Sequence, residues 1–257
     1  MEEQRSIPAK RQKLILELLE QRGVVQIDEM VRLFGVSEAT VRRDLDHLME
    51  MGIVRRTHGG AILSESMVER TQSEKTAMMR DQKARIAAEA ARRVKNGSSV
   101  CFDSGTTTLM TAMLLTSCKD LIVISNNTDI IHTVEFDPSC TVLSTGGAKR
   151  QHYGSLDGPL AESFIRDFKV DIAFLGTDAI DAERGLYNFA LDEVGTKRAI
   201  ANCGRQVIVL SDSSKFSLQG LIKVCSFDAV DVLITDSGIS DQTRATLNML
   251  NLELVIV

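Results

Sequence analysis

The chain has no tryptophan, and aromatic residues make up only 4% of it. Stacking of bases on aromatic platforms is therefore not its expected way of holding a nucleic acid. Its five cysteines, at positions 101, 118, 140, 203 and 225, contain no C-x-x-C pair, and its four histidines are just as dispersed. That scatter offers no disulfide framework and no metal-ligand cluster. No metal and no cofactor are expected, and the thiols read as small core residues of a reduced, cytoplasmic protein. No apolar run is long enough to span a bilayer, so no membrane partner is expected, and the opening MEEQRSIPAK is too charged for a secretory signal. Nor is there an excess of cations. The formal net charge is -5, which counts against a general nucleic-acid binder. No G-x-G-x-x-G follows the first β-prone run of the larger part, which weighs against a dinucleotide-dependent oxidoreductase.

What is present begins with residues 28–61, DEMVRLFGVSEATVRRDLDHLMEMGIVRRTHGGA. Ile27, Met30, Val31 and Phe34 recur at helical period, and Asp28 is placed to cap that helix. Gly35 supplies the left-handed residue that a helix needs in order to stop and reverse. Ser37 caps a second helix, in which Val41, Leu45 and Leu48 face inward. Its other face carries Ser37, Glu38, Thr40, Arg42, Arg43 and His47. A helix presented N-terminus first fits the major groove, where arginine reads guanine edges or holds phosphates. After Gly52, residues 53–57 and 61–63 form a hairpin, or wing, that offers Arg55, Arg56 and the turn residue His58 to flanking phosphates. A first helix, 10–22, precedes this, and 24–27 supplies a short strand to pair with the wing.

A chain of 257 residues suits two domains. Acids and bases balance in the first sixty residues, so the net negative charge resides in the remainder. The boundaries fall at 1–63 for a winged helix-turn-helix domain, 64–74 for a polar linker, and 75–257 for a larger effector-binding and oligomerisation domain. The larger part opens with one long helix, 74–95. Short apolar runs follow at 100–102, 121–125, 141–144, 170–175, 206–210, 231–235 and 252–257. Helical segments at 106–115, 129–135, 159–168, 193–202 and 242–250 lie between most of them. Strands alternating with helices predict a Rossmann-like α/β fold, a mostly parallel sheet covered on both faces.

In such sheets ligands sit beyond the carboxyl ends of the strands. Here the first of those ends reads Asp103, Ser104, Gly105, Thr106, Thr107 and Thr108. A glycine that lets the backbone approach, a helix N-terminus and three hydroxyls suit a phosphate. Asn126, Gly146, Gly147, Asp178 and Asp181 stand at other strand ends, with amides and carboxylates suited to sugar hydroxyls. Lys215 offers charge to an anion. Glu193 and Lys197, four apart on a helix, read first as a surface pair and alternatively as facing the cleft.

The stretches VSEATVRRDL (36–45) and RRTHGGA (55–61) resemble the signature of the DeoR-type bacterial transcriptional regulators. DSGTTT, SNN, TGG, GTDAID, EVGTK and DSSKF extend the resemblance over nearly the whole chain. It implies a C-terminal half resembling ribose-5-phosphate isomerase that senses a phosphorylated sugar and thereby loosens the grip on double-stranded operator DNA. Residues 103–108 would hold the phosphate, with Asp178, Asp181, Glu193 and Lys197 near the sugar and Lys215 assisting the anion. The implied protein is a repressor, not an enzyme, working as a homo-oligomer (dimer or tetramer). The alternative is a catalytic phosphosugar isomerase. Asp178 and Asp181 match the spacing of that enzyme's paired aspartates, but Thr196 or Lys197 falls where its catalytic glutamate belongs.

Overall fold

The computed structural model describes residues 8–50, 54–57, 59–63, 71–151 and 153–257. His58, Gly52 and Ile53, and much of the expected N-terminal arm and linker, lie outside them. The chain divides into two units, 1–68 and 69–257.

In the first unit, α1 (Pro8–Arg22), β1 (Val24–Gln26), α2 (Ile27–Phe34), α3 (Glu38–Glu50), β2 (Val54–Thr57) and β3 (Gly60–Leu63) follow in order. The strands form an antiparallel sheet of order β1-β3-β2. The apolar stripes meet in one core of Ile15, Leu19, Met30, Phe34, Val41, Leu45 and Leu48. Gly35 ends α2 at φ 65, as a left-handed reversal requires. Gly60 is fixed by close approach, since a Cβ there would lie 1.9 Å from the Val25 carbonyl oxygen. Asp28 is not the cap. The helix starts one residue earlier, after an extended Gln26, so Asp28 and Glu29 sit in the first turn and complement the helix dipole instead. A polar contact crosses this core: Arg11 on α1 pairs through Nε and Nη2 with Asp44 on α3, both 3% exposed, and Gln12 Nε2 donates to the same carboxylate at 3.3 Å.

The second unit opens with α4 (Gln72–Ala77) and α5 (Arg80–Ala91) in place of one long helix. Thr71 and Glu74 cap α4 reciprocally, and Met79 at φ 52 breaks the run. The apolar stripe that holds α5 down includes Ile86, Ala87 and Ala90, whereas α4 buries nothing, so packing does not force the two into line.

Seven strands follow: β4 (Ser99–Phe102), β5 (Ile122–Ser125), β6 (Thr141–Ser144), β9 (Val170–Leu175), β12 (Gly204–Leu210), β14 (Val232–Thr235) and β15 (Glu253–Ile256). All their pairings are parallel, in the order β15-β14-β12-β9-β4-β5-β6. Alternate residues of each strand serve opposite faces. Val100, Phe102, Ile172 and Phe174 join α5, α6 (Thr106–Met113) and α7 (Thr128–Thr133) in one core. Cys101, Ala173 and Leu175 join α8 (Pro159–Arg166), α9 (Leu191–Cys203) and α10 (Asp241–Asn248) in the other. The sheet is thus covered on both faces.

Five short strands went unread in the sequence. β7 (Ala148–Lys149) pairs with β8 (Leu156–Asp157), and β10 (Ala179–Asp181), β11 (Gly185–Asn188) and β13 (Ile222–Cys225) make a small antiparallel sheet. They are too short for alternation to stand out.

Replacing Arg11 with Met leaves Asp44 buried without its cationic partner. The first unit should lose about 3–5 kcal/mol, measured as an early transition in urea unfolding of the full chain; a loss below about 1 kcal/mol would show that the pair is not a structural tie.

Candidate functional site

Two surfaces collect the polar residues singled out in the sequence. The first is α3 with its wing. Ser37 caps the helix, its Oγ accepting from Thr40 N at 3.2 Å. Ser37, Glu38, Arg42, Arg43 and His47 are exposed, Thr40 is half-buried, and Arg55 and Arg56 are exposed on β2. Arg42 donates to Glu38 Oε1 from Nε (2.9 Å) and Nη2 (2.6 Å). Arg56 pairs with Asp46, tying the wing to α3. Exposed pairs of this kind are worth about 1 kcal/mol or less, so a phosphate oxygen can replace the carboxylate at little cost.

The second surface follows from strand order. Chain direction across the sheet reverses between β4 and β9, and a crevice opens beyond their carboxyl ends where the two connections leave on opposite sides. Ser104, Gly105, Thr106 and Thr107 line one wall and Gly176, Thr177 and Asp178 another, with Glu193, Lys197 and Lys215 completing the cleft. Gly105 precedes α6 in extended conformation with no side-chain cap on the helix. The first N–H groups of α6 therefore lack intrahelical acceptors where they meet the cleft.

Beneath this loop lies Asp103, fully buried. Its Oδ1 accepts from Gly105 N (2.9 Å) and Thr108 Oγ1 (2.8 Å), and its Oδ2 accepts from Gly176 N (2.8 Å) and from Lys197 Nζ. Lys197 also donates to the Gly176 carbonyl at 3.1 Å. Burial pushes the Asp103 carboxyl up, but the Lys197 charge and these donors outweigh it and hold the pKa below its ordinary value. Burial likewise disfavours the Lys197 ammonium, and Asp103, Glu193 and Asp178 more than restore it.

Glu193 and Lys197 are therefore not a surface pair. Both are buried, and each has a different main partner. Glu193 takes an ion pair from Arg150 and a hydrogen bond from Asn188 Nδ2 at 2.7 Å. Asp178 lies 3.0 Å from Lys75 Nζ. Against the pull of burial, Lys75, Lys197 and Lys215 keep its pKa low.

Several expected residues do not line the cleft. Thr108 is a strut under the loop, donating to Asp103. Asp181 closes the β10–β11 turn by accepting from Glu183 N and Arg184 N, both at 3.0 Å. Gly146 and Gly147 stand at φ 66 and 112, and a Cβ on Gly147 would meet the Asp157 carbonyl oxygen at 2.7 Å. Asn126 is buried, its Nδ2 at 3.3 Å from Asp157 Oδ1. Conversely Lys75, Lys83, Tyr153 and Ser155 line the cleft unforeseen. Tyr153 stacks under the Arg150 guanidinium at 4.2 Å. No spacing in the sequence marks these four, because they arrive from the α4–α5 break and from the β7–β8 hairpin.

An exposed, capped recognition helix with a basic wing in one unit, and a polar switch-point cleft in the other, define a class: DNA-binding transcriptional regulators that carry a sensor unit. The family described as the DeoR C terminal sensor domain matches residues 78–237, and the DeoR-like helix-turn-helix domain matches residues 11–67. The chain belongs to the DeoR family. The putative aga operon transcriptional repressor of Escherichia coli O157:H7 is 33% identical over 97% of this chain and 94% of its own length. The glycerol-3-phosphate regulon repressor of Escherichia coli K12 is 35% identical over 87% and 88%. A ribose 5-phosphate isomerase from Methanocaldococcus jannaschii aligns with 53% of this chain and 54% of its own at 17% identity and a TM-score of 0.39, too distant a likeness to carry weight.

Lys197→Met removes the counter-charge of Asp103 and should cost about 3–5 kcal/mol near neutral pH. In the native protein the lowered Asp103 pKa gives stability that is present above the unfolded carboxylate value and lost as pH falls through the folded one. In the variant burial dominates and raises that pKa, so the sign reverses and stability is lost as pH rises. Urea unfolding near neutral and near pH ~4 should show the variant's deficit shrinking in acid; a constant deficit would rule out a buried ionic tie.

Proposed function

We propose that this protein is a repressor of an operon for the catabolism of a sugar or sugar derivative, released from its operator when a phosphorylated sugar enters the cleft. The observation that carries this reading is the cleft at the β4–β9 switch point. It sets an uncapped helix N-terminus, hydroxyls and lysines around one polar space, the arrangement that holds a phosphate ester. Ser104 to Thr107 take the phosphate, Lys215 assists the charge, and Asp178 and Glu193 face the sugar. The names of the relatives, one a glycerol-3-phosphate regulon repressor, agree with a phosphate-bearing effector.

The cleft favours a sensor over an isomerase. Proton transfer on a sugar needs a carboxylate poised as a base. Each carboxylate lining the cleft is engaged: Asp178 with Lys75, Glu193 with Arg150 and Asn188, and Asp212 with Ser214.

On the DNA side, Arg43 has no carboxylate partner among the described residues and is the side chain best placed to read a base edge. Ser37, Thr40, Arg42, His47, Arg55 and Arg56 position the helix on the backbone. The second unit assembles two or more copies in the cytoplasm, which lets paired recognition helices match two half-sites. A coupling of about 1–3 kcal/mol between cleft and operator is enough for regulation.

Arg43→Ala should weaken binding to the chain's own upstream DNA by about 1–3 kcal/mol in a mobility-shift titration, with effector response intact; unchanged affinity would remove its role. Thr107→Val with Lys215→Ala should give a protein that holds DNA yet ignores phosphorylated sugars. Normal release by the double variant would sink the phosphate assignment.

A further inference from the structure

One buried cluster beside the cleft is used neither by the phosphate loop nor by the ion pairs around it. It comprises Asn126 and Asn127 at the end of β5, Ser155 and Asp157 on and beside β8, and Thr196 on α9. All five are at most 3% exposed. Asn127 and Ser155 face each other in an isolated antiparallel bridge, and Leu156 N donates to the Asn126 carbonyl at 2.8 Å, so two backbone segments hold the group together. Each side chain has a polar atom without a hydrogen-bond partner among the described residues: Asn126 Oδ1, Asn127 Nδ2, Ser155 Oγ, Asp157 Oδ2 and Thr196 Oγ1. The Ser155 and Thr196 hydroxyls face Asp157 without attaining hydrogen-bond geometry. Ser155 lines the cleft, and so does Lys197, the residue after Thr196.

A buried polar atom left unpaired costs free energy, and native proteins rarely gather several in one place without a ligand or ordered water to meet them. The mixture here is specific. A carboxyl and an amide oxygen accept, an amide nitrogen donates, and two hydroxyls do either, which is the complement of neighbouring alcohol groups. Burial raises the pKa of Asp157 above the ordinary carboxylate value.

From this geometry, and building on the phosphate-ester reading above, we infer that Asp157, Ser155 and Thr196, reached from the cleft at Ser155, form a hydroxyl-recognition subsite that selects effectors carrying a polyhydroxylated chain or ring on the phosphate. The phosphate loop supplies charge recognition common to all phosphate esters. The cluster supplies discrimination, because a site built to bond hydroxyls penalises ligands that leave its groups unpaired.

The role predicts an unusual pair of effects. Ser155→Ala and Thr196→Val replace hydroxyls that have no hydrogen-bond partner among the described residues with apolar groups, so the ligand-free full-length protein should melt no lower than the original and retain operator binding. In calorimetric titration, glucose 6-phosphate, ribose 5-phosphate and glucitol 6-phosphate serve as hydroxylated probes and inorganic phosphate as the bare anion. The original protein should bind at least one sugar phosphate tenfold or more tighter than inorganic phosphate. Either variant should erase most of that preference while phosphate affinity stays within about twofold. A preference that survives in both variants overturns the subsite and leaves the phosphate loop standing. A melting point that falls sharply in both makes the cluster a structural network and also overturns it. Failure of the original protein to bind any of the four probes overturns this inference together with the function proposed above.

Discussion

The contact between Asp103 and Lys197 is the constraint around which the larger unit is built. Asp103 follows β4, Gly176 follows β9, and Lys197 lies on α9. The Asp103 carboxylate takes hydrogen bonds from Gly176 and Lys197 as well as from Gly105 and Thr108. β4 and β9 remain paired up to this point, and the tie joins the connections that leave beyond them. Full burial makes the tie mandatory, because neither charge is tolerated there alone. The loop above it is held from below: the Gly105 N–H donates to Asp103, and the helix that follows starts without a side-chain cap.

The two units use charge in opposite ways. On α3 and the wing, Arg42 and Arg56 hold exposed carboxylates that water and salt already weaken. Such contacts park the arginines and yield readily to phosphates. In the cleft the pairs Asp103–Lys197 and Glu193–Arg150 are buried and persist. Their burial shapes the space around the cleft.

Beside that scaffold, five buried polar atoms around Asp157 have no hydrogen-bond partner among the described residues, which costs stability unless a ligand or water meets them. Sites that must wait for a ligand commonly carry this burden, which explains why removing the polar groups is expected to leave the protein no weaker while dulling its selectivity.

Much of the architecture was legible in the chain. The 3.6-residue stripes of α2 and α3, the reversal at Gly35 and the seven β-prone runs each depend on residues close in sequence, and each reappears as an element. The loop from Ser104 to Thr107, whose glycine and threonines sit side by side, lines the cleft. Other features escaped that kind of reading. The left-handed Met79 splits a helix whose composition runs on unbroken. Glu193 and Lys197 have a spacing that suggests they pair with each other, yet packing on α9 sends them mainly to Arg150 and to Asp103, 43 and 94 residues away. Asp181 sits in the expected motif but turns its carboxylate into its own hairpin. Sequence alone determined the long helices of the first unit, the seven strands of the main sheet and which of their ends are polar, because those depend on local conformational preference and on periodic burial. Tertiary structure alone decided which polar groups share a space and which charges lose their water, because burial belongs to the assembled sheet and to no single segment of it.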